Sequence, residues 1–83
     1  MTRTITLGSL QLAGLICHAP QEDIDALDFD GPRLTVTDAD LAAGIVNDAS
    51  NSADEQHERD GEAMDRRMAV ALAMLAGRIR RAA

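Results

Sequence analysis

Met68-Ala69-Val70-Ala71-Leu72-Ala73-Met74-Leu75-Ala76 is a run of nine apolar residues between charged flanks. A surface helix on a small domain needs only one apolar stripe. Here both faces are apolar for more than two turns. A chain of 83 residues has little core to offer such a helix, so a second surface, on another protein chain, is implied. Met64, Met68, Ala71, Leu72, Leu75 and Ile79 fall on one helical stripe. Acids crowd the start of this helix, and Arg78, Arg80 and Arg81 sit at its end, matching the helix dipole. Methionines on such a stripe also serve simply to fill gaps in a core. Val70 and Met74 lie on the opposite side, where exposed apolar groups mark contacts. Met64, Met68, Val70, Leu72, Met74 and Leu75 are therefore the expected helix or oligomer contact, making the chain a dimer or higher homo-oligomer.

Moving toward the N-terminus, His57, Gly61, Met64, Met68, Ala71 and Leu75 repeat at spacings of 4, 3, 4, 3 and 4. The series has the form of a coiled-coil seam in which Gly61 and Ala71 permit close approach. Asn47 to Glu62 contains only two apolar residues, Ala49 and Ala53, and reads as a solvated linker or helix. Ser52 with Glu55 forms a capping-box pattern that places a helix start near residue 53. A continuous helix over 53–81 would run about 43 Å. A compact chain of this size is only about 30 Å across. Either Gly61 bends the helix or another chain covers the overhang.

The first half reads as β-rich. Thr4-Ile5-Thr6-Leu7 alternates, Gly8-Ser9 suits a two-residue turn, and Leu10-Gln11-Leu12 alternates again, so residues 2–17 are expected to form a hairpin. In that register Leu7 faces Leu10 and Ile5 faces Leu12. Pro20, Glu22 and Asp23 suit the start of a short helix that points Ile24 and Leu27 inward. Asp30-Gly31-Pro32 is a turn, and Arg33-Leu34-Thr35-Val36 a possible third strand. Thr37 with Asp40 predicts a helix cap, followed by Leu41, Ile45 and Val46 on one face and an end near Asn47. The expected fold is α+β in a single domain, 1–83. A small antiparallel sheet packs with two or three helices, the last one long. The acidic β-rich half is 1–53 and the C-terminal helix 54–83. Ile5, Leu7, Leu10, Leu12, Leu34, Val36, Leu41 and Ile45 join part of the C-terminal stripe in the core.

Composition narrows the function. Phe29 is the only aromatic, so the usual hot-spot anchors and base-stacking platforms are missing. All eight basic residues are Arg, which, with abundant Ala and Asp, has the look of a high-GC bacterial or phage coding background. Net charge is −6, and residues 1–53 carry eight acids against Arg3 and Arg33. Direct nucleic-acid binding is not expected, because phosphate neutralisation needs clustered basic residues. The bland reading of this acidity is solubility. The lone Cys17 implies no internal disulfide and a reducing, cytoplasmic setting. Residues 10–16 have a faint signal-peptide character, but Gln11 interrupts them and they are too short to span a bilayer.

No catalytic or cofactor motif stands out. Counting an EF-type calcium loop back from Gly31, Asp28 and Asp30 fit, but Ala26 and Thr37 occupy the first and twelfth positions. Cys17, His18 and His57 fall short of a four-ligand zinc set, and neighbours on a strand point to opposite faces. Cys17 with a histidine lacks an oxyanion turn, so no enzyme, metal or cofactor is expected. The acids from Glu22 to Asp54 could instead imitate the phosphate pattern that a nucleic-acid-binding protein recognises. The expected function is a small non-enzymatic acidic protein-binding module, phage-borne in one version. It acts as an inhibitor or adaptor, and its Asp23, Asp25, Asp28, Asp30, Asp38 and Asp40 meet a basic surface of a host protein. The competing expectation is an assembly subunit, such as a virion component, that self-associates through the C-terminal helix.

Overall fold

A computed structural model describes residues 2–82. Its elements are β1 (Arg3–Thr6), α1 (Ser9–His18), α2 (Gln21–Asp25), β2 (Asp28–Asp30), β3 (Arg33–Val36), α3 (Ala39–Asp60) and α4 (Ala63–Ala82). The expected α+β class is what the chain adopts: a three-stranded antiparallel sheet packed with helices, the last of them long.

Gly61 settles the question of the overhang. Its φ of 69° and ψ of 12° lie in the left-handed region that ends helices, and its N–H donates to the His57 carbonyl at 2.7 Å. The Asp60 carboxylate accepts from the Glu62 N–H at 3.0 Å and from Gln56 Nε2 at 2.8 Å. The hydrogen bond from Gln56, and next that from the Glu62 backbone, hold the Asp60 carboxyl below the usual carboxylate range. The chain reverses here, and α4 returns along α3. Pairing runs antiparallel, from Asp54 and Arg66 at 3.0 Å to Ser50 Oγ donating to the Ala69 carbonyl at 2.7 Å. Small residues make this approach possible, since Ala49, Ser50, Ala53, Ala69 and Ala76 are all buried. Folded back, the molecule measures 40 × 23 × 20 Å.

Strand order is β1-β3-β2. Ile5 pairs with Leu34, which pairs with Phe29, and these three apolar residues share the inner face. The β2–β3 turn passes through Gly31 at φ 59°, as Asp30-Gly31-Pro32 predicts. The sheet covers one end of the helical hairpin. Leu34 and Val36 share one buried cluster with Ala42, Ala43 and Val46 of α3 and Leu75 and Ile79 of α4. Arg78 ties that end down by donating to the Thr6 carbonyl at 3.4 Å.

Several expectations are corrected. The Gly8-Ser9 hairpin is absent, because Gly8 has φ −74° and caps a ten-residue helix, α1. A tight turn with glycine first would need positive φ there. Gln11 explains the choice: its Oε1 accepts from the Gly8 N–H at 2.9 Å, and its Nε2 donates to the Ala71 carbonyl at 3.3 Å. Leu10 and Leu12 are therefore half-buried helical residues and not cross-strand partners of Leu7 and Ile5. Asp28-Phe29-Asp30 forms an edge strand where a helix-turn segment was expected. The α3 cap is Asp38, accepting from the Leu41 N–H at 3.1 Å, and not Thr37. That helix continues past Asn47 to Asp60, so neither a second start near 53 nor a boundary at 53/54 exists. Leu41 is exposed, whereas Ile5, Leu7, Leu34, Val36 and Ile45 are buried as expected. The break at Gly61 divides the series from His57 to Leu75 between two helices, so it forms no continuous seam.

Candidate functional site

Helix α4 separates the nine-residue apolar run into two faces. Met68, Leu72 and Leu75 are buried within the chain's own fold and offer nothing to a partner. Val70 and Met74 point the other way and are 47% and 63% exposed. Met64, nearer the start of the helix, is also exposed. Of the six residues expected to form a helix contact, three are thus core and three are surface.

The Val70–Met74 ridge lies between two open grooves. One, of about 410 Å³, runs toward α3 and reaches Ser50 and Asp54. The other, of about 350 Å³, runs toward α1 and reaches Leu10 and Ala71. These grooves exist because α3 and α1 pack on either side of α4. Ser50 bonds to Ala69 on one flank, and Gln11 bonds to Ala71 on the other. Arg66 lines both grooves.

Arginines bound this apolar window at each end. Arg66 and Arg67 precede it, Arg78 and Arg81 follow it, and all four are exposed. Residues 66, 67, 70, 74, 77, 78 and 81 recur at three- and four-residue spacing and so share one side of the helix. The Arg81 guanidinium folds back over Gly77, where an added Cβ would meet its Nη1 at 3.3 Å. Of these arginines, only Arg66 pairs with a carboxylate among the described residues. The whole chain is polarised about this helix. All fourteen acids lie at or before Asp65, while Arg66, Arg67, Arg78, Arg80 and Arg81 lie after it with no acid among them. A division at 53/54 hides this pattern; counting charges from Arg66 onward reveals it.

The six acidic residues singled out in the sequence are divided among α2, β2 and the start of α3. Asp28 and Asp30 alternate with the inward Phe29 and so project from the sheet's outer face. Asp23 and Asp25 are on α2, where Asp25 accepts from Gln21 Nε2 at 2.8 Å. Asp38 and Asp40 open α3, and Asp38 is occupied as its cap. Asp28 and Asp38 share the rim of a shallow cleft of about 40 Å³ with the exposed Leu41. Among the described residues, none of these six carboxylates forms an ion pair.

Cys17 and His18 are on helix α1 and not on a strand, so helical geometry separates them. Cys17 is exposed, and His18 is turned inward with Nε2 3.3 Å from an Asp65 carboxylate oxygen. His57 Nδ1 lies 2.9 Å from the Glu62 carbonyl at the α3–α4 turn. Among the described residues, no three His, Cys, Asp or Glu side chains gather where they could hold one ion. Nor is any described helix long and apolar enough to cross a membrane. No protein-family model matches the chain, and no curated protein and no solved structure was found to be similar to it.

Proposed function

We propose that the chain is a small non-enzymatic protein-binding module of the inhibitor or adaptor class. Its acidic end meets a basic, nucleic-acid-binding surface of another protein in a bacterial or phage-infected cytoplasm. One observation carries this reading: six carboxylates, those of Asp23, Asp25, Asp28, Asp30, Asp38 and Asp40, lie on α2, on β2 and at the start of α3, and among the described residues none forms an ion pair, although Arg33 is the cross-strand neighbour of Asp30. Like charges held together destabilise a free protein and are offset when a basic surface covers them. Edge-strand protection and helix capping account for part of the pattern, since Asp28 and Asp30 discourage strand pairing and Asp38 caps α3. Asp23 and Asp40 stand in the first turns of α2 and α3, where the helix dipole favours a carboxylate.

The test is capture from a bacterial lysate at low and high salt. Wild type is compared with a variant carrying Asn at positions 23, 25, 28 and 30, and with a variant carrying Gln at positions 78, 80 and 81. The expected prey is a nucleic-acid-binding protein, lost at high salt and in the Asn variant. Capture that survives the four Asn substitutions but fails in the arginine variant reverses the assignment.

A second reading, an assembly subunit, is favoured by the exposure of Val70 and Met74. Light scattering separates the two. An oligomer that Val70→Glu with Met74→Glu returns to monomer establishes self-assembly through α4.

A further inference from the structure

The outer face of α4 has a shape and a charge pattern that together specify an occupant. The geometry points to a docking site for an acidic amphipathic helix of another protein. This inference rests on the reading of the chain as a protein-binding module, but not on the acidic end being its contact.

Shape comes first. Val70 and Met74 form a ridge between two grooves of about 410 and 350 Å³, each bounded by a neighbouring helix. Ridges set into grooves are how helices pack on helices. A helix laid along α4 would cover both methyl-rich side chains and place its own apolar residues in the grooves. The window is short, from Val70 to Gly77, about two turns. Contact therefore extends onto what lies beyond it at each end.

What lies beyond is positive at both ends. Arg66 and Arg67 flank the window on one side, and Arg78 and Arg81 on the other. Only Arg66 is matched by a carboxylate among the described residues, and the Arg81 guanidinium already lies along the face over Gly77. Arg66 already pairs with Asp54, and Arg78 already donates to the Thr6 carbonyl. A partner helix with carboxylates one to two turns either side of its apolar stripe would therefore meet Arg67 at one end and Arg81 at the other.

The same charges disfavour a second copy of this helix. Antiparallel pairing centred between Val70 and Met74 sets Arg66 against Arg78 of the other copy. Parallel pairing sets each arginine against itself. Either arrangement places like charges in contact, which costs affinity. An anionic membrane is disfavoured too, because the rest of the chain holds all fourteen acids against Arg3, Arg33 and Arg59.

The test uses the full chain and a fluorescent 18-residue probe peptide. The probe has leucines at helical spacing on one side and glutamates beside them. One control replaces every Glu with Lys. A second keeps the composition but scrambles the order, which removes the apolar face. Anisotropy is read at about 50 and about 500 mM salt. The Glu probe should bind, while the Lys and scrambled peptides should not. Val70→Glu with Met74→Glu should weaken binding by about tenfold or more, as loss of a central apolar anchor does. Arg67→Gln with Arg81→Gln should weaken it by about tenfold at low salt and little at high salt. Met74→Gln alone, at an exposed position, serves as the mild variant, and circular dichroism checks that each variant is folded.

Failure of the Glu probe to bind overturns the inference, as does equal binding of the Lys peptide. A wild-type chain that is dimeric until Val70 and Met74 are replaced also overturns it, by assigning the face to a second copy. A chain that captures a basic protein through its acidic end yet ignores the Glu probe loses this inference and keeps the protein-binding reading. A chain that does neither loses both.

Discussion

Gly14 of α1 lies so close to Leu72 of α4 that a Cβ on the glycine would fall 2.9 Å from the leucine Cδ1 and 3.1 Å from its Cγ. Leu72 has no exposed surface to retreat into. Met68 Cβ closes the other side at 3.4 Å. The missing side chain is what lets α1 seat on α4. Two effects oppose each other in Gly14→Ala. Removing a mid-helix glycine gains about 1 kcal/mol of helix propensity. Overpacking a filled core costs about 1–3 kcal/mol. The clash is with a buried side chain on a second helix, so the variant should be less stable than wild type by about 1 kcal/mol, read from urea unfolding. A stabilised Gly14→Ala would mean that α1 is not seated this closely.

That contact also shows why the sequence of α1 reads as a hairpin. Leu10-Gln11-Leu12 alternates for only three residues, and Gly8-Ser9 imitates a hairpin turn. Helix and hairpin both satisfy so short a pattern. Gln11, Gly14, Leu15 and His18 recur at helical spacing and all turn inward. A glycine, a glutamine and a histidine do not register as an apolar stripe, however. Their burial depends on what α4 presents to them. The same holds for the second half of α3, where Ala49, Ser50 and Ala53 are a packing face made of small residues. Beside Asp48, Asn51 and Asp54 they read as solvated chain, and only the returning α4 gives them a role. Strand β2 was hidden for a different reason. Aspartate is depleted in strands, so Asp28-Phe29-Asp30 became a strand through pairing with β3 and not through propensity.

Other features were local and therefore legible. The turn at Gly31, the strand over 33–36 and the short helix after Pro20 follow from a glycine free to take positive φ, an alternating run and a proline at a helix start, whereas the sequence leaves open whether Gly61 breaks the long helix. The division of α4 into a core stripe and an outward Val70 and Met74 follows from helical period alone. The arginine frame around that outward pair has the same helical spacing, and a charge count divided at 53/54 conceals it.

Ser50 is the buried polar residue at the α3–α4 crossing, and its Oγ donates to the Ala69 carbonyl at 2.7 Å. Ser50→Ala removes a hydrogen bond that contributes about 0.5–1.5 kcal/mol but improves helix propensity by a few tenths. The net loss should be below about 1 kcal/mol. Ser50→Leu keeps the helix and blocks the close approach, so it should cost about 1–3 kcal/mol. Thermal unfolding of the two variants separates hydrogen bonding from spacing. If Ser50→Ala is the worse of the pair, the crossing is held by the bond.

Asp60 ties stability to acid pH. Its carboxyl is held below the usual range by hydrogen bonds from Gln56 and from the Glu62 backbone, so its charged form favours the folded chain. A folded value below the unfolded one gives stabilisation that is complete above about pH 4 and lost as pH falls through the folded value. Asp60→Asn removes the titration and keeps one acceptor oxygen, enough for the Glu62 N–H but not for Gln56 Nε2 as well. Wild type should lose stability as pH falls below about 4, and the Asn variant should lose less of it there. Urea midpoints across that range decide. Identical pH profiles would mean that the turn at Gly61 does not depend on this charge.

Val70 and Leu72 are two residues apart in the same apolar run, yet they should respond to substitution in opposite ways. Leu72 is fully buried on the side of α4 that faces α1, so Leu72→Ala leaves a cavity and should cost about 2–5 kcal/mol. Val70 and Met74 touch solvent on the ridge, so replacing both with Glu should stay within about 0.5 kcal/mol of wild type. The added carboxylates also lie one turn from Arg66, Arg67 and Arg78, where opposite charges on a helix are mildly stabilising. Chemical denaturation of the three proteins at neutral pH measures the difference. If the double Glu variant is destabilised as much as Leu72→Ala, the ridge is core in solution and both readings that place a partner on α4 fall together. If it is as stable as wild type, any loss of binding in that variant belongs to the surface and not to the fold.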